Sequence, residues 1–322
     1  MNNFEVMDFE MFKQMVAKDI KRYLPAKFKD YIVDVRLVKK INQELYGLSL
    51  HPANTEQFIA PNIYIDDLYE HYKQCKDKDE VLLSAARSIV DGFNSVGLIP
   101  EIDYTKAKDN IVMVLINTAQ NRELLSNVPS RSILDLSIVY KWILSKEDGG
   151  LSSIIITNKL ADELNMTEEN LYNIAYRNTK NIFPITIRNM NEVLKDILLK
   201  DGEPEEDILE MINLNNEPMM FVISNDMGIN GSSSILYDET LELLTSKLGS
   251  DIFILPSSIH ELIVVSAKGA NPEDLANMVS EVNTSEVSEE ERLSYSVYHY
   301  SRNTKALTLA YNARKFSYFD LC

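Results

Sequence analysis

Ser257, Ser258, His260 and Glu261 place two hydroxyls, an imidazole and a carboxylate within one short stretch. These are the residue types from which a nucleophile, a general base and an orienting acid are assembled. Their spacing argues against such a relay. Side chains alternate along an extended chain, so Ser258 and His260 share a face while Glu261 points to the other. Pro256 also precedes Ser257 where the nucleophile elbow of α/β hydrolases needs a glycine-containing turn. The pattern predicts a turn with locally satisfied polar side chains, and ligand binding is the second use open to Ser257, Ser258, His260 and Glu261. Catalysis by His260 and Glu261 would need further residues from elsewhere in the fold.

Metal and cofactor chemistry have less to rest on. His71 and Cys75 are four apart and share a face of an expected helix, but a zinc site takes three or four ligands and no second pair has suitable spacing. His260-Glu261 lacks the second histidine of the helical zinc motif. With ten glycines, neither Gly149-Gly150 nor Gly228 to Gly231 continues into a phosphate-binding fingerprint. No metal and no cofactor are therefore expected.

The elements that must position the cluster are legible around it. Ile252 to Leu255 is apolar at consecutive positions, which predicts a central strand, and Pro256, Ser257 and Ser258 turn it into a second buried strand over Leu262 to Val265. Asn271 as N-cap and Pro272 at the first helical position open a helix whose predicted inner face is Leu275, Met278, Val279 and Val282. Upstream, strands over 219–224 and 233–237 and a helix capped by Asp238 complete an expected ββαββα order across 219–282.

The remainder reads similarly. Asp8 caps a first helix, 31–41 and 45–50 form a hairpin, and a short strand precedes a helix capped by Asp66 and another over 80–93. A strand over 111–117, a short helix from Arg122, a hairpin over 133–144 and 152–157, and helices over 167–181 and 190–199 follow. Ser288 and Glu291 make a capping box, and one last strand covers 297–309. The expected class is α+β, with mostly antiparallel sheets built from hairpins and helices packed on them, in two domains over 1–129 and 130–322.

Charge is distributed unevenly along the 322 residues, whose formal net charge is −17. Residues 201–300 hold 20 acidic and 3 basic side chains, whereas residues 1–200 sum to −3 and residues 301–322 to +3. A field of that sign repels phosphate backbones, so direct nucleic-acid binding is not expected, and a basic protein is the partner it would attract. Much of an acidic face is ordinarily just solvated. Cys75 and Cys322 form no disulfide framework, which suits reduced thiols and a cytoplasmic setting. The N-terminus shows no basic segment followed by an apolar core, so no signal peptide is expected, and the apolar run Ile111 to Ile116 is too short to span a bilayer.

PSSIHE at Pro256 to Glu261, EVN at Glu281 to Asn283, Leu293-Ser294 and Val297-Tyr298, with Asn121 and Asp135-Leu136 earlier, carry a resemblance. In these residues the chain resembles a family of uncharacterised proteins from gut-dwelling Gram-positive bacteria, whose role is unknown. The resemblance implies a bacterial accessory protein and carries over no substrate, cofactor or catalytic residue. The expected function is a non-enzymatic, intracellular binding or protein-interaction role through the acidic surface of the C-terminal half. The alternative is a hydrolase of unfamiliar type with His260 and Glu261 in its site.

Overall fold

Asp8 starts the fold: in the computed structural model, which describes residues 6–53, 61–96, 104–147, 150–208, 220–256 and 258–311, its Oδ1 accepts the Met11 N–H at 2.8 Å. Helix α1 (Phe9–Asp19) follows, and Phe12, Val16 and Ile20 form its buried stripe. Strands β1 (Tyr31–Lys40) and β2 (Gln43–Pro52) pair antiparallel from Tyr31↔Pro52 to Lys40↔Gln43. Asn42, in the left-handed region at φ 58°, makes the turn between them. Strand β3 (Ile63–Tyr64) adds to β2, and helices α2 (Ile65–Cys75) and α3 (Lys78–Val96) pack on this sheet. The expected capping by Asp66 is not made. Tyr64 holds the cap position of α2, and Asp66 Oδ2 instead accepts the Tyr46 N–H at 2.7 Å, fastening the helix start to the hairpin.

This assembly is one of two compact units, Met1–Asp103 and Tyr104–Cys322. The second unit opens with β4 (Ile111–Asn117), α4 (Arg122–Leu125), β5 (Ser130–Ile133), β6 (Leu136–Glu147) and β7 (Gly150–Ile155). Strand β6 pairs with β4 along one edge and with β5 and then β7 along the other, all antiparallel. This sheet therefore has strands on both sides of the division expected at 129/130.

Helices α5 (Asn158–Glu163) and α6 (Glu168–Ile182) follow. Thr167 opens α6 through a reciprocal capping box with Asn170. Strand β4 is buried from Ile111 to Ile116 although it ends the sheet, because α6 covers its free edge. Thr179 Oγ1 accepts the Met113 N–H at 3.0 Å, and Asn178 Nδ2 donates to the Ile111 carbonyl at 3.0 Å. Helix side chains thus satisfy backbone groups that an open edge would offer to another chain.

A six-stranded antiparallel sheet completes the unit. It is built from β8 (Ile185–Asn189), β9 (Met220–Asn225), β10 (Ile252–Leu255), β11 (Leu262–Ser266), β12 (Val297–Tyr300) and β13 (Leu307–Tyr311). Their order is β13-β12-β10-β11-β9-β8, so the apolar run Ile252–Leu255 is interior, as its lack of a wet face requires. Helices α7 (Met190–Lys200), α8 (Asp238–Leu248) and α9 (Pro272–Ser285) accompany it. The fold is α+β, with antiparallel sheets and helices packed on them.

Six local expectations are corrected. Residues 233–237 make no strand: Gly231–Leu236 is a 3-10 helix, and both edges of β9, the strand it would have paired with, are taken by β11 and β8. The ββαββα order is therefore absent, and Tyr237 rather than Asp238 holds the cap position of α8. Helix α9 buries Ala276, Val279 and Asn283, while Met278 and Val282 face solvent at 52% and 38% exposure. Finally, 297–309 is two strands of a hairpin, and Ser288 introduces only a 3-10 turn over Glu289–Glu291 without a side-chain cap bond.

Candidate functional site

The turn after β10 is held on its outer side by the segment 291–294. The Ile259 N–H donates to the Glu291 carbonyl at 2.8 Å, the Ser294 N–H to the Pro256 carbonyl at 2.9 Å, and Ser258 bridges to Arg292. Ser258 is buried, and its Oγ accepts the His260 N–H at 3.0 Å, so these two residues meet through the backbone rather than as nucleophile and base. Ser257 lies outside the described residues.

His260 is held at three further points. Its Nδ1 accepts the Asn230 N–H at 3.2 Å, its Nε2 lies 3.4 Å from Glu291 Oε1, and its carbonyl accepts the Ser224 hydroxyl at 2.8 Å. A backbone donor at Nδ1 puts the proton of the neutral ring on Nε2, facing the Glu291 carboxylate. The lone pair a general base would use is therefore occupied. Glu261 is exposed, so the carboxylate beside the imidazole is Glu291, thirty-one positions along the chain. Gly231 closes the arrangement from the other side: a Cβ there would lie 2.4 Å from the His260 carbonyl oxygen and 2.7 Å from Ser224 Cα. The cluster works as a clasp joining β9, the Asn230 turn and the 3-10 turn at Glu291.

A larger polar centre lies in the same unit and was not anticipated as one. Asp135, 4% exposed, follows Leu134, whose φ of 54° turns the chain between β5 and β6. Its Oδ2 accepts the hydroxyls of Ser294 at 2.6 Å and Ser296 at 3.0 Å, and its Oδ1 accepts the Tyr298 phenol at 2.6 Å. Three hydroxyl donors thus solvate a buried carboxylate from which no cation lies within ion-pair reach among the described residues. Asn283 Nδ2 donates to the Ser294 carbonyl at 3.0 Å and Asn117 Nδ2 to the Leu293 carbonyl at 2.9 Å, fixing the segment that supplies the hydroxyls. Ser294, Ser296 and Tyr298 recur at alternate positions, a signal present in the sequence, and the bend at Tyr295, with the Ser296 N–H on Ser294 Oγ at 3.0 Å, turns both serine hydroxyls to one acceptor. Their common acceptor was not readable there.

A second charged cluster joins β5, β6 and the start of α6. Arg131 forks onto Glu168 at 3.1 and 2.8 Å, reaches Glu169 at 2.6 Å and lies over the Tyr172 ring at 3.9 Å. The Tyr140 phenol donates to Glu168 at 2.5 Å; burial and then that carboxylate push its pKa well above the ordinary phenol value. Both carboxylates also sit in the first turn of α6, where the helix dipole favours negative charge. A separate cleft of about 370 Å³, lined by Lys108, Asn165, Met166, Asn170, Asn173, Ile174 and Arg177, includes none of Ser258, His260 and Glu261.

The exposed side of α9 is the most distinctive described part of the acidic region. Asp274, Met278, Glu281 and Val282 recur at i, i+4, i+7 and i+8 and form one stripe, with Glu273 and Glu286 also exposed. Asp274, Glu281 and Glu286 form no ion pair with any described cation.

A family of unknown function, DUF5688, matches residues 9–302. No curated protein and no solved structure matches the chain.

Proposed function

The chain belongs to this family of unknown function, and we propose that it acts by binding, receiving a basic, amphipathic segment of another protein on the outer face of α9. The observation that carries this reading is the pair Met278 and Val282, one helical turn apart and solvent-facing, set among Asp274, Glu281 and Glu286. Single exposed apolar residues are ordinary on protein surfaces. An adjacent pair bordered by unneutralised carboxylates has the composition of a small contact site, with an apolar centre and a charged rim. The charges steer and orient a cationic partner, and the Met and Val side chains supply contact area.

The same field disfavours nucleic acid as a direct ligand. Among the described residues no helix is long and apolar enough to cross a membrane. Cys75 is free, which fits a reducing compartment, so we assign the protein to the bacterial cytoplasm. Against the hydrolase reading stand the occupied Nδ1 of His260 and the exposure of Glu261.

The test is a photo-crosslinking residue in place of Met278, used in living cells, followed by affinity measurement with the purified partner. A partner with a basic amphipathic segment is expected, with binding that weakens steeply from low to high salt. A partner that binds independently of salt, or substrate turnover lost in a well-folded His260→Ala variant, would overturn the reading.

A further inference from the structure

His71 and Cys75, one turn apart on α2, are joined in space by a third ligand-bearing side chain, Glu80 of α3. The His71 Nε2 lies 3.5 Å from Glu80 Oε1, and one ligand atom from each of the three residues lies within 4.8 Å of the other two. We propose that His71, Cys75 and Glu80 form a binding site for a divalent transition metal, with zinc the best match to one imidazole, one thiolate and one carboxylate. Tetrahedral zinc with bonds of about 2.0–2.3 Å sets its ligand atoms roughly 3.3–3.8 Å apart. The observed separations need only small side-chain rotations to reach that. His71 and Glu80 are 38% and 58% exposed, so those rotations are free and a fourth position stays open to water.

The backbone between the two helices is shaped to bring the ligands together. Lys76 ends α2 in the left-handed region at φ 56°, with its N–H on the Tyr72 carbonyl at 2.8 Å. Asp77 Oδ1 accepts the N–H groups of Asp79 and Glu80 at 2.9 and 3.2 Å, which fixes the first turn of α3 and the position of Glu80. The Asp77 N–H points at Cys75 Sγ, 3.4 Å away. Such a donor supports a metal-bound sulfur as outer contacts do in metal sites, and without metal the thiol reaches the Asp77 carbonyl at 3.5 Å. The sequence showed only the helical pair; the tight turn supplies the third member.

The probe is cobalt(II), which takes zinc geometries and is coloured in them. The untagged full chain carries Cys322→Ser so that Cys75 is the only thiol, and is stripped of metal and reduced before titration. One equivalent of cobalt is expected to give thiolate charge-transfer absorption together with the visible bands of tetrahedral coordination, and zinc is expected to bleach both. Cys75→Ser should remove the charge-transfer band, and the near-isosteric Glu80→Gln should weaken binding about tenfold or more, as should His71→Ala. Circular dichroism checks that each variant is folded. No charge-transfer band, or one of undiminished affinity in Glu80→Gln and His71→Ala, would overturn the site, the latter by leaving a thiol binding metal alone.

Discussion

The Tyr298 phenol donates to Asp135 Oδ1 at 2.6 Å, with both groups buried and 163 residues apart in the chain. This bond and its neighbours lock the β5–β6 turn to the segment that enters β12. Hydrogen bonds to a charged group contribute about 1.5–3 kcal/mol, and buried hydroxyls stripped of their acceptor cost more than they gave. Tyr298→Phe should lower unfolding free energy by about 1.5–3 kcal/mol, and Asp135→Leu by more, since it orphans Ser294 and Ser296 as well. Urea unfolding of both singles and the double gives the coupling. Additive losses would mean that the two residues do not act as a unit.

Gly231 has no room for a side chain. The atoms nearest a Cβ include backbone of His260 and Ser224, which cannot swing aside as a side-chain end does. Gly231→Ala should therefore cost about 1–3 kcal/mol through strain. Ser224→Ala removes a single hydroxyl bond, that to the His260 carbonyl, and should cost about 1 kcal/mol. If the two substitutions prove equally mild in thermal unfolding, the clasp is looser than its distances imply.

The buried phenols set an alkaline limit. Burial first, and Glu168 second, raise Tyr140; burial first, and Tyr176 second, raise Tyr237, each from an ordinary value of 10.0. Above about pH 10 the unfolded chain releases these protons while the folded chain keeps them. The folded state then binds more protons, so stability falls as pH rises, by up to about 1.4 kcal/mol per pH unit for each such tyrosine. Below pH 10 their contribution is fully present. Tyr140→Phe should flatten the decline measured by urea unfolding between about pH 9 and 11. An unchanged slope would show that Tyr140 ionises as freely folded as unfolded.

Met278 separates surface from core. As an exposed residue, Met278→Asp should change stability by no more than about 0.5 kcal/mol. The same substitution should weaken the partner recovered through α9 by about tenfold or more, as a central apolar contact does. Loss of stability comparable to that of a core residue would instead mean that something covers this face.

Local chemistry alone determined much of the fold. Asp8 was readable as a cap because its side chain bonds backbone within three residues. The unbroken apolar run of 252–255 required an interior strand, because neither of its faces tolerates water. Alternation and turn residues likewise set the hairpin of β1 and β2. What tertiary structure decided were the matters in which several placements satisfy the same local pattern. Either of two overlapping faces of α9 could have been inner, and small Ala276 with the bond from Asn283 to Ser294 selected the one that leaves Met278 outside. Residues 233–237 had strand-forming composition, but β8 and β11 took both edges of β9, the strand before them in the chain. Asp135 found its three hydroxyls, His260 found Glu291 in place of Glu261, and Glu80 met His71 and Cys75, each through approaches between segments that no periodicity encodes. Periodicity fixes which way a side chain faces along its own element, whereas a site depends on which elements are neighbours, and that is settled only when the cores close.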